Sequence, residues 1–222
     1  MKKAYDQVVQ ALPESRSAQA LLGQQMQAYS WYKETGGHVT DYPDLIAALS
    51  LQVSDDLCVM ESSGEQRLIA ASVCSPSYWN VKEKIGLSLS DIHRPVTSLQ
   101  QKIGSQIQRF IAQAPLMTPF ERSNWFVHGN RQRMHLAPEG KITGSPEQWF
   151  LRSERETLCR FHDDYLLFTI NVRFAPLRDI VHYPAALEDL TDSLSRFDAD
   201  EIDYFGGDTK YQRLGEYLAG LR

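Results

Sequence analysis

The sequence predicts an α+β fold in which an antiparallel sheet lies between helical ends. Two observations carry this expectation. Leu166, Phe168, Ile170, Val172 and Phe174 alternate with other residues after a turn at His162-Asp163-Asp164, which marks one arm of a hairpin. Helical periodicity and helix stop signals gather before residue 54 and after residue 183, with one crossover helix over 98–112, and do not follow every strand as a doubly wound parallel sheet requires.

Taken in order, residues 3–11 read as a short helix ended by Pro13. A second helix runs roughly over 17–35, rich in alanine, glutamine and leucine, and stops at Gly36-Gly37. A third opens at Asp41, Tyr42 and Pro43, with Leu45, Ile46, Leu49 and Val53 on its apolar face. From Asp56, LCVME, a Ser62-Ser63-Gly64-Glu65 turn and RLIAASVCS form a hairpin. Residues 76–97 read as irregular, punctuated by Pro76, Gly86 and Pro95, and 98–112 return to helix. ERSNWFVHG and RQRMHL read as a strand pair, and QWFLRSERETLCRF with YLLFTINVRF as the clearest hairpin of the chain. Helices over 184–197 and 208–221 complete it.

The chain has 222 residues, 42% apolar and 23% charged, which suits one domain spanning 1–222 with a substantial core. Its net charge of −5 argues against a nucleic-acid partner or an anionic membrane surface bound by bulk electrostatics. No apolar run is long enough to span a bilayer and no leader pattern opens the chain, so a cytoplasmic location is expected. The three cysteines, Cys58, Cys74 and Cys159, form no CxxC pair, which fits a reducing compartment and excludes covalent haem attachment through CxxCH. No GxSxG, GxxxxGK[ST] or GxGxxG occurs, so any reduced nicotinamide is expected on another polypeptide.

Strand parity along 149–161 puts Trp149, Leu151, Ser153, Arg155, Thr157, Cys159 and Phe161 on one face, with Arg152, Glu154, Glu156 and Arg160 on a face suited to solvent or an ion-pair ladder. Arg155 would then be a lone charge on a mostly apolar face, needing either a bound carboxylate or a structural Asp or Glu. His93 sits in SDIHRPV, where Pro95 disfavours helix at Arg94, so a short helix from Ser88 should end near His93. An imidazole placed there suits iron ligation or a helix C-terminal cap. His128, after NWFV, is the runner-up ligand, and His135 sits similarly. His162, His182 and His38 read as surface residues, and no HxxxH or HExxH spacing unites any of the six.

DDLCVM, PSYW, EKIGLSLSDIHRPV, RSNW, RSERETLCR and LFTI followed by APL, in this order, resemble the haem-dependent oxidative N-demethylase family between about Asp55 and Leu177. The resemblance implies a PAS-like core over about 55–177: a curved antiparallel sheet with helices beside its concave face and helical ends outside it. It implies non-covalent haem b, and oxidative demethylation of a small secondary amine such as dimethylamine, using O2 and electrons from a separate reductase chain. His93 becomes the candidate iron ligand. Arg122, Asn124, Trp125 and Arg155 become candidates for the pocket wall and propionate pairing. The family tends to carry glutamine where Glu156 stands. Two other readings share the fold: a non-catalytic PAS-type module binding haem or a small molecule, and an interaction protein whose pocket has closed.

Overall fold

The computed structural model describes residues 9–27, 44–51, 53–94 and 97–221. Its centre is a six-stranded antiparallel sheet in the order β1-β3-β2-β6-β5-β4. The strands are β1 (Val9–Ala11), β2 (Asp56–Glu61), β3 (Leu68–Ser72), β4 (Phe120–His128), β5 (Phe150–Arg160) and β6 (Tyr165–Pro176). The α+β layout thus stands.

Helices α1 (Arg16–Gln27) and α2 (Leu45–Ser50) cover one face. Ala18, Leu22, Ile46 and Leu49 pack there on Leu57, Val59 and Ile69. Helices α3 (Val81–Lys84), α4 (Leu89–Ile92) and α5 (Thr97–Gln113) cover the other. Val81, Leu89 and Ile111 meet Cys58, Met60, Leu68 and Leu166 on that side, with Leu158 and Phe168 at its margin. Both faces of β2 are therefore sealed, which is why it reads as a nearly continuous apolar run rather than an alternating one.

The C-terminal helices α6 (Pro184–Ser195), α7 (Ala199–Phe205) and α8 (Asp208–Gly220) build a third cluster. Leu187, Leu190, Leu214 and Leu218 surround Trp149 and Val127 at the far ends of β5 and β4. Asp198 and Glu201 form a reciprocal capping box that starts α7. Gly206 and Gly207, with φ of 122° and 87°, turn the chain into α8 in a conformation other residues resist.

Several sequence expectations need correction. Residues 9–11, expected in a helix, form β1 instead, pairing with Ala70–Ser72 of β3; residues 3–8 lie outside the described residues. The helix expected over 17–35 is seen as Arg16–Gln27, and its remainder, with Tyr42 and Pro43, also lies outside them. RQRMHL is not a strand: it contributes one isolated bridge, Ser77 to His135. Helix α7 was not anticipated, because its seven residues sit between two stronger helical patterns.

No helix among the described residues is long and apolar enough to cross a membrane.

Candidate functional site

His93 is placed by a four-residue helix with its own start signal. Ser88 Oγ accepts the backbone N–H of Asp91 at 3.1 Å, fixing the first turn of α4. The backbone N–H of His93 closes the last turn on Leu89 O at 3.2 Å. Its side chain returns to the same carbonyl, with Nδ1 2.9 Å from Leu89 O. A carbonyl only accepts, so Nδ1 carries the hydrogen and the neutral ring offers its Nε2 lone pair. Burial holds the His93 pKa below the usual histidine value; the Leu89 bond opposes this, and the nearby charges of Arg122 and Lys84 reinforce it. The ring is thus kept in the form that binds a metal.

Beside it runs a stripe of charge on the sheet face that α3, α4 and α5 cover. In the β4–β5 register Arg122 lies opposite Glu156 and Asn124 opposite Glu154. Arg122 Nε donates to Glu156 Oε2. Asn124 also hydrogen-bonds Glu156. Glu156 is only 4% exposed. Burial raises its pKa despite the opposing pull of Arg122, so a proton is held there more readily than on an ordinary carboxylate.

Arg152, 1% exposed, continues the stripe. Its Nε donates to Glu154 Oε1 at 2.7 Å, and its Nη2 donates to Ser75 O. Its Cζ lies 5.6 Å from the Phe174 ring centroid. Its Nη1 is buried with no hydrogen-bond partner among the described residues. An orphaned donor of this kind costs about 1–3 kcal/mol, more for a charged group, which a bound anion would offset.

The parity reading therefore had the faces reversed over the middle of β5, while Trp149 and Phe161 just beyond its two ends are buried as expected. Arg152 and Glu156 are buried, and Arg155 is the outward residue, its side chain 50% exposed and 3.7 Å from Asp55 Oδ1 and from Glu121 Oε2. Loose pairs of that kind contribute little. Trp125 also faces away from Arg122. It donates to Ser193 Oγ at 3.3 Å and stacks on Phe197 with centroids 5.8 Å apart. Of the residues singled out from the sequence, Arg122 and Asn124 meet at Glu156, and Arg122 lies near enough to His93 for its charge to act on the ring; Trp125 and Arg155 do not join them. Arg152, Glu154 and Glu156 were missed as site residues, because charges on a strand normally face water and nothing in the sequence shows what covers them.

A second buried cluster lies at the far end of β4. His128 is fully buried, its Nδ1 3.0 Å from Glu139 Oε2 and its Nε2 3.4 Å from Ser77 Oγ. Both nitrogens are engaged, unlike those of His93. Glu139 Oε2 also accepts the Tyr78 hydroxyl at 3.0 Å and the Gly129 N–H at 3.2 Å, and Asn130 Nδ2 donates to Oε1 at 2.7 Å. His135 stacks on His128 with centroids 4.5 Å apart. Tyr78 holds φ at 64°, a strained conformation for a bulky residue, and thereby turns its hydroxyl into this cluster.

Across a cavity of about 300 Å³, bordered by Tyr78, Glu139 and Tyr204, lies Lys210. Its Nζ donates to Phe205 O at 2.8 Å and sits 4.3 and 4.1 Å from the ring centroids of Phe126 and Phe205. Burial pulls its pKa down to about 7, with Glu139 acting in the opposite direction.

Among the other histidines, His162 occupies the β5–β6 turn and accepts the Asp164 N–H at 3.2 Å, His182 is exposed, and His38 lies outside the described residues.

Sequence comparison adds what side chains alone cannot. No curated protein matches the chain. The family model described as haem-dependent oxidative N-demethylase, alpha subunit-like, matches residues 2–214, nearly the whole length. The ordered blocks around the His93 helix and the Arg122 and Glu156 strands thus sit inside one continuous match: the chain belongs to the haem-dependent oxidative N-demethylase alpha subunit-like family.

Proposed function

We propose that this chain is a haem-binding oxidoreductase that removes a methyl group from a small secondary amine, using O2 and electrons from a separate reductase chain. The observation that carries the reading is the His93 imidazole, held neutral with Nδ1 committed to Leu89 O and Nε2 left to ligate. The match to a family named for haem dependence supports reading that nitrogen as the iron ligand.

The residues present fit the group. His93 would hold the iron, while Arg152, through its unpartnered Nη1, and Arg122, whose side chain is 60% exposed, would meet the propionates. Absence of a CxxCH motif makes the haem non-covalent, which fits haem b. When bound, haem supplies oxygen activation and one-electron chemistry that side chains cannot. The chain supplies the setting. Trp79, Ile92, Leu158 and Phe168 pack at the edge of the buried cluster beneath α3–α5 and exclude water there. Glu156, with its raised pKa, holds a proton in the same stripe, and Glu154 offers a carboxylate to an alkylammonium ion.

The PAS-like reading draws support from the lodging of α3, α4 and α5, all between β3 and β4 in sequence, on one face of the sheet. Residues 1–222 are read as one domain, since α1–α2, α3–α5 and α6–α8 all pack on that single sheet.

The test is an absorption spectrum of the purified protein after haem reconstitution, followed by incubation with a reductase, reduced nicotinamide and dimethylamine. A histidine-ligated haem spectrum and formaldehyde release are expected. A colourless protein overturns the proposal, and bound haem without formaldehyde leaves the non-catalytic module in its place.

A further inference from the structure

We propose that His128, His135 and Glu139 form a binding site for a divalent transition-metal ion of the zinc class, distinct from the His93 site. Each side chain offers one ligand atom, and these atoms lie within 4.8 Å of one another. An ion bound at about 2.0–2.2 Å to imidazole nitrogen and carboxylate oxygen brings such atoms to roughly 3.3–3.5 Å apart, so binding requires the His135 ring to rotate out of its stack on His128 as the side chains close on the ion. Two imidazoles and one carboxylate, with a further position left for water, form a ligand set that zinc commonly takes.

A plain hydrogen-bond network accounts for His128 and Glu139 but not for His135. That residue is 7% exposed, and its Nε2 is buried with no hydrogen-bond partner among the described residues. A metal ion would use the nitrogen that the network leaves unanswered.

The surroundings are built to hold the ligands still. The backbone of His135 is clamped on both sides, its N–H to Pro76 O at 3.1 Å and its carbonyl accepting the Tyr78 N–H at 2.8 Å. Glu139 is oriented by Asn130 at 2.7 Å, Tyr78 at 3.0 Å and Gly129 at 3.2 Å. Such outer partners fix a ligating carboxylate. His128 Nδ1 faces Glu139 Oε2 at 3.0 Å, so an ion entering between them replaces a proton. A surface cavity of about 470 Å³, bordered by His135, Glu139 and Gly140, supplies an entry path and room for the water.

The experiment uses the full chain, stripped with a chelator and titrated with cobalt(II), then with zinc(II) and iron(II) in competition. A single equivalent of cobalt with ligand-field absorption in the visible, displaced by zinc, and a raised unfolding temperature are expected. His135→Ala and Glu139→Ala should each weaken binding by more than about 100-fold, beyond what loss of an outer partner costs. His93→Ala should bind the metal as the parent does, and His135→Ala should keep the haem spectrum. Failure of the parent chain to take up cobalt or zinc overturns the proposal even if the variants do not fold. So does undiminished binding by His135→Ala, or loss of binding in His93→Ala. A preference for iron(II) over zinc(II) overturns the zinc-class assignment.

Discussion

Glu156 lies directly across the sheet from Arg122, and the two form an ion pair whose acid is buried while its base stands half in solvent. Because burial wins, the folded-state pKa of Glu156 lies above its usual value of 4.5. The folded state then binds more protons than the unfolded one. The associated stability is present below that value and lost as pH rises through the folded pKa. Glu156→Gln keeps the shape and the oxygen that Arg122 donates to, without the charge. In urea titrations of the cofactor-free protein, the variant should gain on the parent as pH rises from 4 to 8. A constant difference across that range would show that Glu156 carries no burial cost.

His93→Ala should abolish the histidine-ligated haem spectrum while circular dichroism shows the fold intact. The depressed pKa of His93 has its own signature in the cofactor-free protein. Its contribution to stability is present above the unfolded value of 6.5 and lost as pH falls through the lower folded value. The variant should therefore lose less stability than the parent on acidification below pH 6.5. Retention of the ligated spectrum would move the ligand elsewhere, to His128 first.

Lys210→Met sets two effects against each other. The lost hydrogen bond to Phe205 O should cost about 1 kcal/mol when lysine is neutral. Charging the buried amine costs the parent stability as pH falls from 10.5 to about 7. The variant should be the less stable protein near pH 10 and recover relative to the parent by pH 7. Urea midpoints at the two ends of that range decide it, and parallel curves would mean that the aromatic rings over Nζ hold the charge without penalty.

Asp56→Ala should lower unfolding free energy by roughly 2–4 kcal/mol. The carboxylate is 1% exposed and accepts the backbone N–H groups of Cys74 at 2.8 Å and Ser75 at 3.0 Å. Both donors would be left buried beside an apolar methyl. Urea denaturation measures the loss, and a change below about 0.5 kcal/mol, the range of ordinary surface substitutions, would show that water replaces the acceptor.

The hairpin of β5 and β6 was legible because its second arm alternates strictly, and helices α6 and α8 because their apolar spacing repeats. The end of α4 at His93 was legible from the following Pro95. The direction in which β5 faces was not. Ser153, Thr157 and Cys159 looked more inward than Arg152 and Glu156, and only the groups gathered around the second set, Ser75 and Phe174 at Arg152 and Arg122 and Asn124 at Glu156, reverse that order. The trio of His128, His135 and Glu139 escaped for another reason. It joins a strand end to an irregular loop, so no periodic spacing marks it, and the strained Tyr78 backbone that supports it leaves no trace in composition.

The strand order leaves β1 and β4 at the rims of the sheet. Among the described residues the first offers three, and the second carries Glu121, Arg122, Ser123 and Asn124 exposed along its outer half. Neither rim is a good template for another chain to lengthen by backbone pairing, one being too brief and the other too wet. Crowded copies of this protein should therefore not zip into fibrils through the described lengths of these two rims.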